Sequence, residues 1–339
     1  MGQMARTGQI WLCLCLGLLL LNEQAQGQRR TNHLYMAAGT GNYLGDIGGV
    51  DEGSRGFLSD LHLQATRVSF TGGYARGLRS NLWAEGQVSV VKLYDDDAFT
   101  NGGPRRARNL HFRNTVLELS GRLTWEVWSG PNRQISAKSY PSLYLFAGAG
   151  FFHHNPQTRL RSASDNASIW HDLRDLRTEG QASPYSLLAL SFPTGLGMRW
   201  DIAPGWMLGW EASWRWTSTD YLDDISDRYG DPGNMTELGA QLSSQADAFS
   251  LDAAGGDWDE SMLIHFQHNP TGGSPRGNPD KKDGFGTLQV KLTKSIDGRA
   301  PSNRNRNYNK TKRASQRRFR KAKYQPSRIQ RWFRGRGRF

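Results

Sequence analysis

Between residues 206 and 217 the side chains alternate, with Met207 the one apolar exception on the polar parity. Trp206, Leu208, Trp210, Ala212, Trp214 and Trp216 share one parity, and Gly209, Glu211, Ser213, Arg215 and Thr217 the other. A period of two sends successive side chains to opposite faces of an extended chain, so this stretch reads as a strand with one tryptophan-rich face and one polar face. The pattern recurs. Leu196, Met198, Trp200 and Ile202 oppose Gly195, Gly197, Arg199 and Asp201; Leu117, Leu119, Leu123, Trp125 and Val127 oppose Glu118, Ser120, Arg122, Thr124 and Glu126. Gly, Pro, Asn and Asp separate such segments and convincing helical periodicity does not appear. The chain therefore predicts an all-β fold with strands at 33–46, 60–76, 81–94, 109–128, 141–154, 186–203, 206–221 and 284–295. The fifth carries Leu145, Phe146, Ala147, Phe151 and Phe152, apolar at both parities, and its inward face is not assigned.

Alternation alone does not say which face is inside. In a soluble sandwich or barrel the tryptophans line the core; in a membrane barrel they meet lipid and the charges fill the lumen. Connection lengths discriminate. Those after strands two, four and six span about 4, 12 and 2 residues, whereas those after one, three, five and seven span about 13, 14, 31 and 62. Short turns on one rim and long loops on the other predict an eight-stranded antiparallel transmembrane β-barrel of the cell outer membrane, with periplasmic turns and extracellular loops. Two aromatic girdles fit: Trp125, Trp128, Trp200 and Trp206 at the short-turn ends, and Tyr43, Tyr94, Phe151, Tyr185 and Tyr221 at the long-loop ends. The inward set then comprises Glu85, Gln87, Glu118, Arg122, Glu126, Arg199, Asp201, Glu211, Arg215 and Lys291, a polar plug of both signs rather than a channel.

The ends of the chain differ from the middle. Arg6, an apolar run from Ile10 to Leu21 and Ala25-Gln26-Gly27 read as a signal peptide over residues 1–27, with the mature chain beginning near Gln28. Cys13 and Cys15 leave with it, which removes disulfides, zinc-thiolate sites and cysteine nucleophiles from consideration. The formal net charge is +12, yet residues 298–339 hold 16 of the 43 Lys and Arg and none of the 31 Asp and Glu. The preceding part thus has 27 basic against 31 acidic residues, a net charge of −4. The barrel is assigned to 28–297 and an Arg-rich, disordered tail to 298–339.

Three stretches resemble the PorG-like outer-membrane barrel family of the type IX secretion and gliding machinery of Bacteroidetes. They are Asn42-Tyr43-Leu44-Gly45-Asp46; Thr219-Asp220-Tyr221-Leu222-Asp223-Asp224-Ile225-Ser226 with Tyr229 and Asp231-Pro232; and Arg276-Gly277-Asn278 through Lys281-Lys282-Asp283. The likeness covers about residues 33–295. It implies a non-enzymatic accessory that associates with the periplasmic ring subunits of the secretion machine. No cofactor or metal site is expected from the residues themselves. The basic tail departs from the family pattern.

In a closed eight-stranded sheet the end of strand one, the end of strand seven and the start of strand eight are neighbours at the outer mouth. Asp46, Asp220, Asp223 and Asp224 are accordingly expected to face Arg276, Lys281 and Lys282 there and to latch the long seventh connection onto the rim, the alternatives being exposed, solvated ion pairs or a calcium site. Gly39-Thr40-Gly41 and Gly148-Ala149-Gly150 open no helix, and read as close strand contacts rather than phosphate loops. His153 and His154 point to opposite faces, and His265 with His268 lies in a Gly- and Asp-rich loop. With an even strand count the tail emerges in the periplasm, which argues against nucleic acid despite Phe319, Tyr324, Trp332 and Phe333 among its cations. Arg317, Arg318, Arg320, Lys321, Arg331, Trp332 and Arg334 are expected to tether the barrel to acidic periplasmic surfaces, the ring or the cell wall. The other readings are a passive surface barrel binding an extracellular ligand through its loops, and a rim-located enzyme.

Overall fold

The computed structural model describes residues 32–48, 63–129, 140–161, 169–203, 205–255, 260–267 and 274–296. The assignments made for 1–27 and 298–339, including the tail residues Arg317 to Arg334, lie outside the described residues, as does His268. Eight long strands form the wall: β1 Asn32–Leu44, β2 Arg67–Gly77, β3 Leu82–Asp96, β4 His111–Ser129, β5 Ser142–His153, β6 Leu188–Ala203, β7 Trp206–Thr217 and β8 Gly284–Ser295. Each pairs antiparallel with its sequence neighbour, and β8 pairs with β1 from His33 opposite Ser295 to Leu44 opposite Gly284, so the sheet closes without an edge. Two strand ends differ from the sequence reading by more than two residues. β2 starts at Arg67 because Leu63–Ala65 form a 3₁₀ turn, and β7 stops at Thr217 because the chain then turns into the mouth.

Sidedness follows the alternation. On β4, Leu119 is 48% exposed and Leu123 53%, while the intervening Glu118 is 0% exposed and Arg122 4%. A large apolar exterior around an ionised interior is unfavourable in water and favourable in hydrocarbon, so this is a membrane-spanning barrel of the outer-membrane type. Trp125, Trp128 and Trp206 are exposed at the short-turn rim. At the other rim Phe151 and Trp216 face outward, but Tyr43 does not belong to the girdle: its ring is 2% exposed inside the barrel. Tyr185 and Tyr221 are likewise taken into the loops, where they stack at 4.5 Å.

The β1 and β5 glycines are contact points between strands. A Cβ on Gly39 would lie 2.0 Å from the Leu288 carbonyl oxygen, and one on Gly148 2.3 Å from that of Gly121. Register shifts between Glu126 and Trp128 and between Asp201 and Ala203 lie near the short-turn ends, where bulges let strands finish at a rim.

The lumen is filled in storeys. At the periplasmic end His33 stacks on Trp83 at 4.5 Å, and Arg199 pairs with Glu126 at 2.6 Å. Above them lies a net-neutral set of four charges. Arg122 grips Glu211 through two N–H···O contacts of 2.6 and 2.7 Å and Glu85 through two of 2.7 and 3.0 Å; Lys291 Nζ lies 3.2 Å from each carboxylate. The Arg122 guanidinium sits 4.1 Å over Phe146 and the Lys291 ammonium 3.8 Å over Tyr35. Arg215 with Glu118, at 3.2 Å, forms the next pair, Ser191 and Thr287 completing its hydrogen bonds.

The top storey corrects the expectation of a polar plug throughout. Val91, Leu93, Phe112, Val116, Phe152 and Phe285 point inward there and pack with Ile47, Leu110, Leu222 and Ile225 from the loops. This explains the ambiguity of β5: Tyr144, Phe146 and Phe152 face the lumen while Leu145 and Phe151 face lipid.

Removing one partner of a buried, mutually compensated charge set leaves the others uncompensated. Arg122→Met should therefore lower barrel stability by about 3 to 5 kcal/mol, read as loss of the compact, heat-modifiable gel band at lower urea. Combined Glu85→Gln, Arg122→Met, Glu211→Gln and Lys291→Met should cost much less.

Candidate functional site: the latched outer mouth

Beyond Thr217 the chain enters the barrel mouth instead of continuing outward. Thr217 Oγ1 donates to the Asp283 carbonyl at 2.8 Å, and Leu222 N–H donates to the Asp283 carboxylate at 2.9 Å, so the two ends of the fourth long loop, 218–283, are clamped together. Leu222 and Ile225, both fully buried, then drop into the apolar top of the lumen. Their descent buries the carboxylates between them, and each of those groups is occupied by the folded chain. Asp223 accepts N–H groups of Ile225 at 2.9 Å and of Ile47, in the first loop, at 3.1 Å. Asp224, in the left-handed region at φ 72°, accepts the Tyr185 hydroxyl at 2.7 Å and the Thr178 hydroxyl, both from the third loop. An aspartate tolerates that backbone conformation better than most side chains.

Two buried arginines join the loops. Arg276 Nη1 donates to the Asp224 carbonyl at 2.6 Å and to Glu179 at 3.2 Å, and its Nε donates to the Ser243 carbonyl at 3.3 Å. Arg108, at the end of the short helix α1 (Gly103–Arg108), binds Asp97 at 2.8 and 3.0 Å and the carbonyls of Asp46 and Arg276 at 2.7 Å each. A guanidinium has five N–H donors in a planar fork, so one side chain can satisfy several backbone carbonyls and a carboxylate at once. Together they tie all four long loops across the mouth.

The expected cluster is assembled with two changes. Asp46 accepts the Asn278 N–H at 3.0 Å, Asp220 accepts the Ser226 hydroxyl at 2.7 Å, and Asn42 donates to Thr66 at 2.8 Å. Tyr43 donates to Asp283 at 2.7 Å and accepts the Asp46 N–H at 3.1 Å. Gly45 crosses directly above this pair, where a Cβ would lie 1.8 Å from the Tyr43 hydroxyl. The lysines, however, are not the counter-ions expected. Lys282 reaches Asp220 only at 3.6 Å with its side chain 52% exposed, and Lys281 is exposed on the surface. Ammonium groups with flexible stems stay hydrated; the guanidinium groups are buried instead. The sequence reading does not assign Arg108, Asp97, Glu179, Tyr185 or Asp283 to this cluster. For the first two a signal existed, namely Asp95-Asp96-Asp97 followed within one loop by Arg105, Arg106 and Arg108.

Burial raises the carboxylates of the mouth. Asp220 and Asp224 are each pushed up to about 6, Asp224 in spite of Arg276. Asp223 and Asp283 are held well above the usual range by burial, Asp223 further by Asp46 and Asp283 by Asp223. His154, buried as a neutral ring, is pushed down to about 4. Among the described residues no group of three or more His, Cys, Asp and Glu is placed to hold a metal ion.

No protein-family model and no curated protein sequence matches the chain. Among solved structures it is similar to Ail, the attachment invasion locus protein of Yersinia pestis, in complex with the heparin analogue sucrose octasulfate (8% identity, 79% of this chain and 100% of that chain, TM-score 0.34). It is also similar to CarO2 of Acinetobacter baumannii (8% identity, 79% of this chain and 100% of that chain, TM-score 0.27). Likeness at this level carries no argument about the mouth.

Arg108→Met should leave Asp97 buried without its partner and release the mouth. Limited proteolysis of intact cells should then cut the loops while the heat-modifiable barrel band persists. A second expectation concerns pH. A carboxylate whose folded pKa is raised binds its proton more tightly when the mouth is closed, so closure gains as pH falls through 6 and loses as it rises. Between pH 7.5 and 5 the Asp224 contribution is roughly tenfold in the closure equilibrium. The pH 5 to pH 7.5 ratio of protease protection should therefore be larger in the parent chain than in Asp224→Asn. Comparing the two cancels the opposite contribution of His154.

Proposed function

We propose that the protein is a non-enzymatic, non-conducting outer-membrane scaffold that serves as an accessory of a type IX-like secretion machine and contacts its periplasmic ring. The observation that carries this reading is the filled and latched barrel: charge pairs occupy the lumen, and an apolar plug beneath two buried arginines occupies its mouth. A wall so filled offers its rims, rather than a bore, for function. The three stretches that resemble the PorG-like family meet at this latch, which supports family membership, because they are the segments that keep such a barrel shut. Asp46, Asp220, Asp223 and Asp224 each accept hydrogen bonds from the folded chain, which supports a structural role over acid–base chemistry. The Arg-rich segment 298–339 adds an electrostatic tether to the ring or to cell-wall carboxylates, with salt-sensitive affinity.

The latch also presents the loops as a preorganised outer surface, which favours as second reading a surface barrel that binds an extracellular ligand. Site-specific photo-crosslinking separates the two. A probe at Asn81, in the periplasmic turn 78–81, should capture ring subunits, and affinity purification from detergent-solubilised envelopes should recover the same proteins. Capture only from cap positions would replace the secretion reading with the ligand-binding one. Deleting residues 300–339 should weaken ring recovery at low salt more than at high salt; unchanged recovery at both removes the tether.

A further inference from the structure

One sector of the outer rim carries cations that the latch does not use. On the outward face of β3, Val88 and Val90 meet lipid, and Lys92 and Tyr94 follow at the same parity. Two residues of strand advance about 7 Å, so Lys92 stands immediately above the apolar band, at the depth of the outer-leaflet headgroups. Opposite Tyr94 on β4 is Arg113, and opposite Val90 is Leu117. The third loop adds Arg159 and Trp170. The Arg113 guanidinium lies 4.1 Å from the Trp170 ring centre and the Arg159 guanidinium 5.3 Å from it, while that of Arg67 lies 4.1 Å over Tyr94.

These cations are held but not neutralised. Among the described residues none of Arg67, Lys92, Arg113 and Arg159 has a carboxylate within 4 Å. Arg113 uses its Nε on Gln157 at 2.8 Å, and among the described residues neither terminal amino group has a protein acceptor. The acids of the neighbourhood are engaged elsewhere: Asp172 accepts from Gln157 at 2.6 Å, and Asp96 accepts from Tyr94 at 3.1 Å and from Arg161. Two guanidinium groups over one indole repel unless an anion joins them. On the far wall β6 and β7 present Leu188, Leu190, Phe192 and Trp216 to lipid near the outer rim.

We propose that Arg67, Lys92, Arg113 and Arg159, with Tyr94 and Trp170 as flat supports, bind the phosphate groups of phosphorylated lipids in the outer leaflet, with the acyl chains lying against Val88, Val90 and Leu117. Chemistry and depth agree. Guanidinium groups bind phosphate oxygens in a bidentate fashion. A lipid is the one source of phosphate that also supplies apolar chains to the valines directly beneath. The aromatic rings hold the cations in place, which limits the side-chain entropy lost on binding.

The test is native mass spectrometry of the full-length protein, purified in detergent and incubated with diphosphoryl lipid A. Retention of one lipid is expected, weakening with added salt, with little retention of the same lipid stripped of its phosphates. Lys92→Gln, Arg113→Gln and Arg159→Gln combined should reduce retention by roughly 10- to 100-fold, whereas Lys92→Arg with Arg113→Lys should keep most of it. Equal retention of the dephosphorylated lipid would mean adsorption to the apolar wall alone and would overturn the proposal. So would retention unchanged in the triple variant, or binding of a soluble sulfated polysaccharide with no retention of lipid A. The comparison of the two lipids uses the unaltered protein, so the outcome does not depend on how the variants fold.

Discussion

In hydrocarbon no water is present to satisfy a free N–H or C=O, so a spanning sheet must pair every strand on both sides. The antiparallel ladder between β8 and β1 meets that requirement, and the rest of the structure depends on it. Closure turns one parity of every strand into an inner wall with nowhere to go but the lumen. It also brings the first strand, the last strand and the long loop before the last strand to one place at the outer rim. The lumen chemistry and the latch are both consequences of that single seam.

The inside of so narrow a cylinder is costly for charge, and the chain handles this differently along its length. In the middle, two carboxylates, one guanidinium and one ammonium sum to zero within hydrogen-bonding distance, with aromatic faces under the cations. At the mouth, polar pairing gives way to an apolar seal, and Leu222 and Ile225 act as the stopper. Seating that stopper carries Asp223 and Asp224 out of water, which is why N–H groups, hydroxyl groups and the fork of Arg276 converge on this segment. The raised carboxylate pKa values are the residual cost of the arrangement, and they make the tightness of the mouth depend on pH.

Much of this was legible in the residues and some was not, for reasons that can be named. Strand positions and sidedness were readable because period-two alternation is local and tryptophan and glutamate have opposite preferences for lipid. The acidic run from Asp220 to Asp224 and Arg276 could be placed together because barrel closure is a topological consequence of strand count. The assignment failed where a choice between chemically similar residues depends on depth. Lys281 and Lys282 lie closer in sequence to the last strand than Arg276 does, yet the buried cation is the one that can satisfy several acceptors at once. Tyr43 could pass for an interfacial aromatic until the register turned it inward to Asp283.

By itself, then, the sequence determined an all-β chain of eight wall strands, their order, their polarity across the membrane and the division of acidic body from basic tail. Each of these is written in spacings shorter than one strand and its connection, or in composition. Only the tertiary structure decided which loop residues enter the mouth, that apolar side chains fill the upper lumen, and that Arg108 spans from Asp97 to Arg276. Contacts at the mouth join residues as many as 240 positions apart, and they exist only after closure has set the register that brings them together.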